Sequence, residues 1–71
     1  MNRTYRIEKA SIKSHEPVVN YGGGYMWDEV LHLLRGYKHD PKYDTLIDGE
    51  VKHMMFTRGH SNSVYFVDME D

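Results

Sequence analysis

Apolar residues crowd both alternate sets of positions between Val51 and Met69. Read as strands, Val51, His53 and Met55 point one way and Lys52, Met54 and Phe56 the other; after a loop, Val64 and Phe66 oppose Tyr65, Val67 and Met69. A sheet with one wet side alternates apolar with polar residues, and this hairpin does not. Each set needs cover, and the rest of the chain offers one convincing helix.

That helix runs from Met26 to Leu34. Trp27, Val30, Leu31 and Leu34 repeat at i, i+3, i+4 and i+7, and Met26, Leu33 and Tyr37 widen the stripe. Asp28 and Glu29 fall in the first turn and Arg35 after the last, as the helix dipole favours, and Gly36 is placed to end the helix at C′. Upstream, Tyr5 and Ile7 alternate with Arg6 and Glu8, and Ala10 and Ile12 resume the pattern one residue out of phase, which predicts a strand with a bulge near Lys9. Ser14-His15-Glu16-Pro17 interrupts it, and Val18 to Tyr21 reads as a short second strand. Pro41 makes residues 38–42 a connection. Asp48-Gly49, between Thr45-Leu46-Ile47 and Glu50-Val51, is a type I′ turn signal, and Arg58 to Asn62 forms a longer turn before the strand Ser63 to Met69. The expected fold is α+β: a small antiparallel sheet of three to five strands with a C-terminal meander and one α-helix packed on one face.

Residues 1–71 are read as a single domain, near the lower size limit for one core. The initiator Met and ordinary composition suggest a complete reading frame. No apolar segment approaches a signal-peptide core or a membrane span, and cysteine is absent, so disulfides and thiolate metal sites are excluded and a cytoplasmic location is expected. The net charge of −2 comes from 11 acidic and 9 basic residues, the footprint of neither a general nucleic-acid binder nor a strong DNA mimic. Its distribution is uneven: Arg3, Arg6, Lys9 and Lys13 against Glu8 make the first residues basic, and the middle of the chain is acidic.

The motifs with chemical associations are weak. Tyr21-Gly22-Gly23-Gly24-Tyr25 precedes the helix as a phosphate loop would, but it has neither the spacing nor the Lys and Ser/Thr of one, and Asp28 and Glu29 would repel an anion. The glycines read instead as a sharp turn pinned by tyrosines. His32 and His39, like His53 and His60, stand seven apart, which is no zinc-ligand spacing; no metal or other cofactor is expected. Ser14-His15-Glu16 is adjacent in sequence without the geometry of a triad, and Asp40, Asp44 and Asp48 are dispersed by Pro41 and the turn, so neither an enzyme nor a small-molecule substrate is expected.

Three function classes remain. The favoured one follows from counting layers: once the helix covers one sheet face, the other stays apolar and calls for a partner protein, such as a host enzyme or complex, or a second copy in a homodimer. If the uncovered set is Met54, Phe56, Tyr65 and Val67, rimmed by Lys52, Arg58 and Asp68, it has the apolar centre and polar rim of an interface. The acidic segment Asp68-Met69-Glu70-Asp71 is a further candidate contact. Small non-catalytic proteins commonly act as inhibitors or regulators, and those encoded by phages or mobile elements often target host nucleic-acid or defence machinery. The second class is a single-stranded nucleic-acid-binding module using Arg3, Tyr5, Arg6, Lys9 and Lys13, with Tyr65 and Phe56 to stack bases. The third is a structural homo-oligomer subunit.

Overall fold

The computed structural model describes residues 3–13 and 15–70; Ser14 and Asp71, named above, lie outside them. Six strands form one antiparallel sheet: β1 (Thr4–Ser11), β2 (Val19–Asn20), β3 (Lys38–His39), β4 (Thr45–Ile47), β5 (Glu50–Thr57) and β6 (Ser63–Glu70). One helix, α1 (Trp27–Leu33), follows β2, and a 3₁₀ turn (Pro41–Tyr43) joins β3 to β4. The fold is α+β. The strand order is β2-β1-β6-β5-β3, with β4 pairing β5 beyond β3, so the last strand lies in the middle of the sheet.

The predicted helix differs from α1 only at its ends, where Met26 and Leu34 serve as caps. The Glu29 carboxylate reaches back to accept from the Met26 backbone N–H at 2.9 Å. After Leu34 the chain turns through Gly36 at φ +89°, a conformation costly for any residue with a Cβ. Asp48 and Gly49 both have positive φ, 54° and 79°, as a type I′ turn requires.

α1 lies on the face bearing Ile7, Val67, Met54 and Phe56. Ile7 and Met54 stand opposite Val67 from the two sides, and Val30 and Leu34 of the helix complete the cluster. Val30 and Val67 have no exposed surface, and burying each such side chain contributes roughly 1.5–3 kcal/mol. Trp27 lies near the rings of Tyr5 and Phe56, at centroid distances of 5.2 and 6.3 Å, yet keeps a third of its surface exposed. Leu31 and Leu33 are half exposed, so only part of the predicted helical stripe enters the core.

Two expectations about the strands are corrected. No bulge interrupts β1, whose register with β6 runs unbroken from Thr4 opposite Glu70 to Ser11 opposite Ser63. Lys9 keeps the inward phase because its long stem leaves the ammonium free to reach out over the Tyr65 ring. The irregularity is instead between β4 and β5, where Thr45 faces His53 but Leu46 faces Val51. That shift lets Val51 pack against the core, away from the face that simple alternation assigns to it.

Candidate interaction surface

The residues expected to form the outer patch lie on the helix side of the sheet. Met54, Phe56 and Val67 are buried in the core, and Tyr65 packs against it. This corrects their placement on an open face. Phase explains it: β1 pairs with β6 so that Tyr5 faces Met69 and Ile7 faces Val67, adding β1's apolar residues to the Val67 set rather than to the Val64 and Phe66 set. Of the expected rim, Lys52 pairs with Glu50 at 3.3 Å, Arg58 lies over the Tyr37 ring at 5.3 Å, and only Asp68 points to the far side.

The far face is built from three cross-strand rows. Arg6, Asp68 and His53 form the first, with Asp68 between two bases; its carboxylate accepts a short hydrogen bond from the His53 ring when Nδ1 carries the proton. Glu8, Phe66 and Met55 form the second, and Ala10 beside Val64 the third. The His53 and Phe66 rings stack at 5.4 Å, which joins the charged row to the apolar one. The result is an apolar centre of partly buried Phe66 and Met55, with Val64 buried beside them, bordered by Arg6, Glu8 and the His53–Asp68 pair. Charge and aromatic surface in this arrangement suit recognition of a protein surface.

The segment around the glycines runs along the outer edge of β1. Tyr21 donates to the Ile7 carbonyl at 2.9 Å, Ile7 donates to Gly22 at 3.0 Å, and Tyr5 and Tyr25 exchange two backbone hydrogen bonds. It thus extends the sheet in its plane. The Gly24 amide, the group a phosphate loop would offer to a ligand, donates instead to the Glu70 carboxylate at 2.7 Å. This bond, with further help from the Thr4 hydroxyl and Arg6, holds the Glu70 carboxyl below the usual glutamate range. Asp68, Met69 and Glu70 of the acidic segment are accordingly part of β6, with Asp68 and Glu70 both engaged within the fold.

The basic N-terminal residues are distributed over different surfaces. Arg3 pairs with Glu50 at 2.5 Å and lowers its carboxyl pKa, Arg6 lies on the far face, Lys9 is 6.0 Å from the Tyr65 ring centre on the helix side, and Lys13 lines a surface concavity near Ser63. Tyr5 is partly buried beside Trp27, and Phe56 is in the core, leaving neither ring free to take a base. Among the described residues no three His, Asp or Glu side chains converge as metal ligands: His39 meets Asp44 at 2.6 Å and stacks on Phe56, while Asp40 accepts from the Lys42 amide at 3.4 Å. Among the described residues no helix is long and apolar enough to cross a membrane.

Phe66, Met55, His53, Arg6 and Glu8 are the surface residues that alternation alone does not single out. The phase of Tyr5 and Ile7 against Met69 and Val67 is the signal that would have found them. Compared with known proteins, the chain matches no family model, no curated protein and no solved structure.

Proposed function

We propose that this chain is a non-enzymatic regulator or inhibitor that binds another protein through the far face of its sheet, centred on Phe66 and Met55. One observation carries the reading: α1 lies on the Ile7–Val67 face, while the opposite face holds an apolar centre inside a border of paired charge. The absence of cysteine suits work in the reducing cytoplasm. A second copy is a less suitable occupant. Two-fold packing of the face on itself, with the axis along the strands through Phe66, sets Asp68 against Asp68 and Glu8 against Met55.

Affinity capture with the purified chain, with and without nuclease, tests the proposal. The expected result is a protein retained by the wild type in the presence of nuclease and lost with a folded Phe66→Thr, Met55→Thr double variant. Capture that survives the double variant, or that disappears with nuclease alone, would refute it. A concentration-dependent dimer that the same variant abolishes would move the assignment to self-association.

A further inference from the structure

On the helix side, three concavities are neighbours. The middle one, about 140 Å³, lies between α1 and the sheet and is lined by Ile7, Tyr21, Tyr25, Leu33, Leu34 and Tyr65. It shares Tyr21 with a second concavity of about 380 Å³ that contains Lys9 and Lys13, and shares Tyr25 and Leu33 with a third of about 570 Å³ bordered by Asp28 and Glu29. These shared side chains set the three next to one another, so that an extended segment crossing them would follow one trough.

Its charge has a direction. Lys9 and Lys13 outweigh Glu16 at one end, whereas Asp28 and Glu29 stand beside His32 at the other. The middle is apolar and its polar atoms are engaged: the Tyr25 hydroxyl donates to the Tyr21 carbonyl at 2.7 Å, and burial raises the Tyr65 phenol pKa despite the nearby Lys9. Its volume is close to that of cavities of about 150 Å³ that admit a benzene ring, and well below the several hundred Å³ of a drug-sized site. One side chain fits where a metabolite does not.

We infer that the trough binds a linear peptide segment of a partner protein, anchored by one aromatic or branched apolar side chain between an acidic residue, held at the Lys9–Lys13 end, and a basic residue, held at the Asp28–Glu29 end. The apolar anchor supplies affinity by leaving water, and the flanking charges set the direction in which the peptide lies. This surface is separate from the Phe66–Met55 face, so, on the reading of that face proposed above, the chain has two sides on which proteins meet.

Selection from a random library of linear peptides against the full chain tests the inference, followed by affinity measurement on the enriched peptides. Enriched sequences are expected to carry acid, apolar anchor and base in one fixed order, and exchanging the two charged residues should weaken binding about tenfold or more. Leu33 is 55% exposed, so Leu33→Asp should fold and weaken binding to a similar degree, while Phe66→Thr on the other face leaves affinity unchanged. Lys9→Glu provides a second variant, expected to weaken the selected peptides and to recover binding when their acidic residue is made basic. The inference fails if no peptide is enriched, if exchanging the charges has no effect, or if binding tolerates both the Leu33 and Lys9 variants.

Discussion

The Glu70 carboxylate, near the end of the last strand, accepts a 2.7 Å hydrogen bond from the backbone N–H of Gly24, 46 residues earlier in the chain. It fastens the central strand to the loop that introduces the helix. Because the bond favours the ionised carboxylate, its strength is tied to pH.

Acid should therefore loosen this fastening. The folded-state pKa of Glu70 is lowered chiefly by the Gly24 amide, and that of Glu50 chiefly by Arg3. A depressed carboxyl contributes stability that is fully present above its unfolded pKa and is lost as pH falls through the folded value. Melting temperature should be steady near neutrality and decline below the ordinary glutamate range. Glu70→Gln should make that decline shallower, and Arg3→Ala should do the same through Glu50. Thermal melts across an acid series would check both, and an unchanged slope in both variants would remove these carboxylates from the account.

Gly23 has a specific role in the same fastening. A Cβ added there would meet the Glu70 carboxylate, so Gly23→Ala should push that side chain off the Gly24 amide and lower the melting temperature. In a Glu70→Ala background the collision no longer exists, and the same change should have a smaller effect. Additive losses in the double variant would show that Gly23 acts on something else.

Phe66 and Val67 are neighbours with opposite duties. Val67 has no exposed surface and touches the core from the central strand, so Val67→Thr, which buries a hydroxyl, should cost about 1–3 kcal/mol. Phe66→Thr leaves a β-branched residue on the far face and should change stability by about 1 kcal/mol or less while abolishing partner capture. Chemical denaturation of the two variants separates the roles, and equal losses would put Phe66 in the core as well.

The tip of the β4–β5 hairpin offers a local test. Gly49 has φ +79°, where an added Cβ is strained, so Gly49→Ala should destabilise by about 1 kcal/mol. Asp48, at φ 54°, should accept Asn with little change, since Asn also tolerates the left-handed region. Denaturation midpoints would distinguish the two.

Local periodicity made α1, the Asp48-Gly49 turn and the final hairpin legible in the sequence, because each depends on residues within a few positions of one another. What it left open was which set of the hairpin the helix covers, since Met54, Phe56 and Val67 are no more apolar than Met55, Val64 and Phe66. That choice is made by a long-range register, Ile7 opposite Val67, which no local pattern encodes. Lys9 misled for a related reason: an amphipathic side chain can take an inward position and resemble a break in alternation. The trough depends on Tyr21, Tyr25, Leu33 and Tyr65 meeting from three separate segments, so only the assembled fold displays it.

β6 is the last strand in sequence and a central one in space, flanked on its two sides by β1 and β5. Val67 is the residue that Ile7 and Met54 both require as a neighbour, so neither flank has a core until β6 arrives. Closing β1 onto β6 brings together residues more than fifty positions apart, which slows folding and makes it concerted. During synthesis β1 and the β4–β5 hairpin would wait with open edges until the final strand left the ribosome. Nascent chains stopped after Asn62 should remain susceptible to protease, and release of the eight residues of β6, Ser63–Glu70, should bring protection in a single step.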